Sequence, residues 1–278
     1  MRHRSAASAA ILGLSFWMGA SSAAPLSYTG GAYTQNFDGL PTNVTNPSQV
    51  VPGKGPHEFS VVSGASGLVG WQFANPSGSS SNTEFRSHNG SLSGSAGRGV
   101  ISFGDNGSSE RALGALATSN QISSFGLVLT NDTGLTLDSF TLSYTGEQWR
   151  RGNVANPNTL FFSYAVGGTS IGSGTFTGIA ALNFVAPNTQ VSPTDVALDG
   201  NNAANQTFLS GGVATGLGWA PGDTLVLRWL AQDLSGQDDG LGIDNLTFSA
   251  AAIPEASTLC LVGASAATLS LGLLRRRK

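Results

Sequence analysis

The feature that most restricts the fold of this chain is a period of two. In residues 139–145, SFTLSYT, the apolar Phe140, Leu142 and Tyr144 alternate with Ser139, Thr141 and Ser143, so an extended chain here has one apolar and one hydroxyl face. Strand-like segments of four to eight residues recur at 57–62, 99–103, 123–130, 159–165, 224–230 and 241–249, separated by Gly, Asn, Asp, Ser and Pro. No stretch between residues 25 and 252 sustains a 3.6-residue period, and residues 111–119 come nearest with about two turns. Short strands without alternating helices, in a body of 228 residues, predict an all-β antiparallel β-sandwich with jelly-roll topology. Fixed-period repeats, the signature of propellers and β-helices, are absent. Residues 75–97 are rich in Gly, Ser and Asn and read as long surface loops. Residues 249–253 read as a short linker to the tail.

The two ends have a different character. Arg2, His3 and Arg4 precede an apolar run over 6–20, and residues 21–24 supply small side chains, the pattern of a signal peptide over 1–24. Cleavage is expected after Ala23, because a cut after Ala24 would place Pro25 beside the scissile bond. At the other end, residues 256–274 carry no charge, and as a helix they would span roughly 28 Å, close to the thickness of a bilayer's hydrocarbon layer. Arg275, Arg276, Arg277 and Lys278 follow at once, which keeps that end on the cytoplasmic side and puts the body outside.

The order of these parts, Pro254-Glu255-Ala256-Ser257, then an apolar span, then a basic stop, resembles the PEP-CTERM sorting signal of Gram-negative bacteria. The resemblance implies an exported protein, held briefly in the inner membrane by its C-terminal helix, processed by an exosortase near Pro254, Glu255 and Ala256, and delivered to the outer surface or extracellular matrix. Ala256 stands where that family often has a second proline. Within the body, Glu110-Arg111-Ala112-Leu113-Gly114, Gly146-Glu147-Gln148-Trp149-Arg150 and the stretch from Arg228-Trp229 to Ile243-Asp244-Asn245 resemble a β domain recurrent among PEP-CTERM proteins. That domain has no assigned activity. Exosortase systems tend to accompany exopolysaccharide production, which makes exopolysaccharide the implied partner.

Composition narrows the chemistry further. Between the two ends lie seven basic and fifteen acidic residues, a net charge of −8, against −3 for the whole chain. Such a body lacks the basic footprint that holds a polyanion, and nucleic acid is not an expected partner. Cys260, in the apolar tail, is the only cysteine, so the body has neither a disulfide nor a cysteine nucleophile. His57 and His88 are the only histidines of the body and lack metal-ligand spacing.

Two stretches concentrate the remaining charge. Glu147, Trp149 and Arg151 form a candidate ligand-binding set: an exposed Trp149 would offer its ring to the C–H face of a sugar, with Glu147 and Arg151 taking hydroxyls. Alternatively, Trp149 plugs one end of the sandwich beneath a Glu147–Arg pair with Arg150 or Arg151. Asp233, Asp238, Asp239 and Asp244 offer hard oxygen donors suited to Ca²⁺, with Asp38 as a further ligand; a solvated turn accounts for the same loop residues. Residues 243–248 are also similar to the last strand of several carbohydrate-binding jelly rolls that grip a structural calcium, with Asp244 and Asp38 in the matching positions. No catalytic set is expected. Gly168-Thr169-Ser170-Ile171-Gly172 matches G-x-S-x-G but lacks the strand–turn–helix context of a nucleophile elbow. A secreted glycan hydrolase, the alternative, would draw its two carboxylates from Glu58, Glu84, Glu110 and Glu147. The sequence thus predicts an exported, non-enzymatic sandwich with a structural or glycan-binding role.

Overall fold

A computed structural model describes residues 24–42, 48–153, 156–189 and 195–252. The sorting residues Pro254, Glu255, Ala256, Arg275, Arg276 and Arg277, the expected membrane helix over 256–274 and all of the expected signal peptide but Ala24 lie outside the described residues. Among the described residues no helix is long and apolar enough to cross a membrane.

Nearly all the regular secondary structure of the described chain is strand. In order these are β1 (Leu26–Tyr28), β2 (Tyr33–Gln35), β3 (Gln49–Val51), β4 (His57–Glu58), β5 (Trp71–Ala74), β6 (Thr83–His88), β7 (Gly99–Phe103), β8 (Ala112–Leu116) and β9 (Ser124–Asn131). There follow β10 (Leu137–Arg151), β11 (Thr159–Val166), β12 (Thr177–Gly178), β13 (Phe184–Val185), β14 (Val196–Ala197), β15 (Gln206–Trp219), β16 (Thr224–Ala231) and β17 (Gly240–Ala252). One sheet has the order β12-β11-β16-β9-β5-β4, with β1 added to β9 and β13 to β11. The other has the order β14-β10-β17-β8-β7-β6-β3, with β15 added to β10 and β2 to β17.

The alternation in residues 139–145 does what it predicts: Phe140, Leu142 and Tyr144 are buried in the space between the sheets. There the Trp229 ring stacks with both Trp71 and Phe125 at centroid distances of 6.0 Å, and Tyr144 of the other sheet meets it edge-on at 5.6 Å. Full burial of one large apolar side chain stabilises by about 1.5–3 kcal/mol, so this aromatic stack is a principal tie between the layers.

Several expectations need correction. The sheets are mixed, since β1 runs parallel to β9 and β6 parallel to β7. The first pairing arises because β5 covers only Ser124 to Leu127 of β9, which leaves Leu129 to Asn131 for β1 on the same edge. The second follows from a crossover through the single helical turn Gly94–Gly97. Residues 111–119, the nearest thing to a helix in the sequence, contain β8 instead. Its five residues are buried on both faces, and tertiary packing overrides the helical propensity of Ala and Leu. The supposed loop 75–97 contains β6, and the supposed linker extends β17 to Ala252. Residues 57–62 give only the two-residue β4 and a 3₁₀ turn, Phe59–Val61.

Candidate functional site

Two neighbouring strands and the segment leading into a third deliver one carboxylate each to the outer face of the nine-stranded sheet. In β17, Leu241 and Ile243 point into the main core, so Gly242 and Asp244 point outward. In β10, Glu147 lies opposite Gly242 and Thr145 opposite Asp244, which puts Glu147 on that same face. Glu110 stands two residues ahead of β8, in step with Ala112 and Leu116 of the outer cluster. A ligand oxygen of each of Glu110, Glu147 and Asp244 lies within 4.8 Å of the other two.

A bulge follows at once. Along one edge of β17, β8 pairs as far as Ile243 and β2 resumes at Leu246. Asp244 and Asn245 occupy the junction, the register to β10 shifts there, and Asn245 takes a left-handed φ of 51°. Asp244 keeps the outward alternation of Gly242, and the extra residue Asn245 lets the core-facing pattern resume at Leu246. Asp38, three residues past the end of β2, remains exposed but close enough to act electrostatically on Asp244.

The cluster is roofed. Trp149 is fully buried, stacks on Phe103 at 6.1 Å and 2°, and donates its indole N–H to Glu147 Oε2 at 2.9 Å. Gly200 passes so close over the indole that a Cβ there would sit 2.3 Å from the ring. From the same segment, Asn201 Nδ2 donates to Glu110 Oε2 at 2.5 Å and Gln206 Nε2 to Glu147 Oε1 at 3.1 Å. Two oxygens remain buried with no hydrogen-bond partner, Glu110 Oε1 and Asp244 Oδ1. Burial raises the Glu147 carboxyl to about 8, against the Trp149 hydrogen bond and with the charges of Asp244 and Glu110 adding to the rise. Burial likewise raises Asp244 to about 7, with Glu110 and Asp38 contributing.

This geometry corrects the stacking-platform reading of Trp149, whose ring has no exposed surface to offer a sugar. Glu147 and Arg151 are buried too, at 1% and 5% exposure. The expected Glu147–Arg pair also gives way: Glu147 is held by Trp149 and Gln206, Arg150 pairs with Asp195, and Arg151 Nη1 donates to Asn188 Oδ1 at 2.8 Å. Trp149 is buried, as the plug reading expects, but in a cluster on the outer face of the nine-stranded sheet beneath Gly200 rather than at an end of the sandwich.

The acidic loop also divides. Asp238 Oδ1 accepts from Asn158 Nδ2 at 2.7 Å and from the Leu234 N–H at 2.9 Å. Asp239 accepts from the N–H groups of Gly152 at 2.8 Å and Asn158 at 3.2 Å. These two carboxylates therefore staple the loop before β17 to the chain after β10, and Asp233 is exposed. Burial pushes Asp238 up to about 7, with Asp233 raising it further, and pushes Asp239 up as well. The five expected ligands do not form one set; Asp244 finds Glu110 and Glu147 instead. Those two glutamates are legible as candidate carboxylates in the sequence, but nothing in it joins them to Asp244.

Neither catalytic alternative gains support from the geometry. Glu84 is clamped by Arg86 and Arg98, and Glu147 lies beneath its roof. Ser170 sits in a turn between β11 and β12, with its hydroxyl beside that of Ser173.

An open groove of about 400 Å³ lies on the outer face of the eight-stranded sheet. Its floor comes from outward residues of paired strands, Phe161 opposite Leu230 and Ser163 opposite Arg228, and one wall is Phe176 to Asn183. Phe161 is 41% exposed. The Arg228 guanidinium lies 3.4 Å over the Phe176 ring and makes no ion pair among the described residues. Its described bonds, to Ser163 Oγ at 3.3 Å and Ile171 O at 3.4 Å, are long. Asn183 uses its side-chain carbonyl on the Phe162 N–H and leaves its amide NH₂ without a protein partner among the described residues. Sequence reading missed this groove, because its residues come from three separate segments. A second hollow, about 290 Å³ near Glu58 and residues 65–70, contains no exposed aromatic ring.

No protein-family model matches the chain, and no curated protein matches it in sequence. Among solved structures, TmCBM61 in complex with β-1,4-galactotriose is similar at 9% identity and a TM-score of 0.29, over 57% of this chain and 86% of that one. A cleaved adhesin domain of Lys-gingipain from Porphyromonas gingivalis is similar at 12% identity and a TM-score of 0.31, over 81% of this chain and 100% of that one. At such scores the description of the fold rests on the strand pairing alone.

Proposed function

We propose that the body is a polysaccharide-binding β-sandwich of jelly-roll type, exported and processed through its PEP-CTERM-like tail, whose binding surface is the open groove at Phe161 and Arg228. The observation that carries this reading is a half-exposed aromatic ring beside a cation without an acidic partner, in a groove bounded by polar side chains. Sugars combine apolar C–H faces with hydroxyls. Phe161 and Leu230 suit the former, while Arg228, Ser163 and the amide of Asn183 suit the latter. The net charge of −8 on the body opposes a densely anionic chain, so the preferred ligand is a neutral or sparsely charged polysaccharide of the extracellular matrix. Affinity electrophoresis of the full chain through gels containing such a polysaccharide tests the reading. Retardation of wild type that is lost in Phe161→Ala supports it, and equal mobility with and without polysaccharide contradicts it.

A further inference from the structure

We propose that Glu110, Glu147 and Asp244 form a binding site for one Ca²⁺ ion, which ties β8, β10 and β17 together beneath the roof formed by Trp149 and residues 199–206. The site differs from the loop set that the sequence suggests and stands independently of the polysaccharide groove, which lies on the other sheet.

The first argument is the two orphaned oxygens. Asp244 is 4% exposed, and its Oδ1 has neither a hydrogen-bond partner nor access to solvent; Glu110 Oε1 is in the same position. A buried carboxylate oxygen left unpaired is costly, and a cation between the two would satisfy both. The second is charge. Three ionised carboxylates in a buried site, with oxygens within 4.8 Å of one another, repel pairwise unless a cation joins them. None of the ion pairs among the described residues involves this cluster. The third is size and donor type. All three groups are hard oxygen donors, and two ligands each about 2.4 Å from one Ca²⁺ lie at most about 4.8 Å apart. The cluster falls within that span. Mg²⁺ binds at about 2.0–2.1 Å and demands a near-ideal octahedron, so Ca²⁺ is preferred. The roof supports the same assignment: Trp149 and Gln206 fix Glu147, and Asn201 fixes Glu110 through its other oxygen, leaving Oε1 for the ion.

The test uses Ca²⁺ and its luminescent substitute Tb³⁺ on the full chain. The Trp149 indole nitrogen is 2.9 Å from Glu147, so excitation of tryptophan should sensitise emission from bound Tb³⁺, and Ca²⁺ should compete it away. Titration calorimetry should give one Ca²⁺ per chain, and the melting temperature should rise with the logarithm of Ca²⁺ concentration above Kd. Asp244→Asn and Glu110→Gln should each weaken binding at least tenfold. Glu110 is only half-buried, so Glu110→Gln serves if Asp244→Asn does not fold. Trp149→Phe should reduce sensitised emission while calorimetry still detects Ca²⁺. Identical melting in Ca²⁺ and in EDTA, or Ca²⁺ binding undiminished in both carboxylate variants, overturns the assignment.

Discussion

Trp149→Ala separates a plug from a platform by magnitude. The ring is fully buried between Phe103 and the backbone of Gly200, so truncation removes its packing and leaves a cavity. Buried Trp-to-Ala changes cost about 3–5 kcal/mol. The change also removes the N–H that Glu147 Oε2 accepts from, so the loss should fall in the upper half of that range. Trp149→Phe isolates that hydrogen bond, because a phenyl ring preserves most of the stacking, and should cost about 1–3 kcal/mol. Urea unfolding followed by intrinsic fluorescence and by circular dichroism, with the slope held common, gives both values from the midpoints. Loss below about 1 kcal/mol in Trp149→Ala, with polysaccharide binding abolished, would refute the reasoning and restore the platform.

Three further outcomes follow from buried groups. His88 is buried and neutral by geometry, accepting the Gly90 N–H at Nδ1 and bonding Gly97 O through Nε2, and burial lowers it from 6.5 to about 4. The unfolded chain takes up a proton below pH 6.5 that the folded one refuses, so the contribution of His88 itself should fall by up to about 3 kcal/mol between pH 6.5 and 4, against the opposite trend of the raised carboxyls. His88→Gln should remove that contribution from the stability–pH curve, and an unchanged slope would assign the loss elsewhere. Glu147 and Asp244 shift the opposite way: raised carboxyls contribute stability below their unfolded values and lose it as pH rises through about 7 and 8. Melts in EDTA should therefore fall as pH rises from about 4 to about 8, and saturating Ca²⁺ should remove the fall. Gly146→Ala should cost about 1–3 kcal/mol, since its Cβ would lie 2.3 Å from the Phe184 ring; an unshifted chemical-denaturation midpoint would mean that the ring yields freely.

Much of the scaffold is legible in the sequence, and the reason differs from strand to strand. Residues 139–145 declare themselves because one face is buried and the other carries hydroxyls. Residues 99–103 survive as β7 unchanged in extent. By contrast, β15 runs through the Gly-rich residues 206–219, where little alternation exists to read, and it is recognisable only by its pairing with β10. The segment 112–116 is apolar on both faces, so its period says nothing and Ala and Leu suggest a helix. The carboxylate cluster is hidden for a further reason: Glu110, Glu147 and Asp244 meet through register across two strands and the segment leading into a third, which leaves no spacing in the sequence.

The proposed groove over β11 and β16 would hold polysaccharide through apolar stacking and hydrogen bonds rather than through net charge. Its most direct test is the affinity of wild type and Phe161→Ala for a neutral matrix polysaccharide, measured at 50 and 500 mM NaCl with melts on the same samples. Phe161 is 41% exposed, so its removal should move the melting temperature little while weakening binding at least tenfold, and salt should leave wild-type affinity nearly unchanged. Binding that Phe161→Ala leaves intact, or that collapses at high salt, would contradict the account.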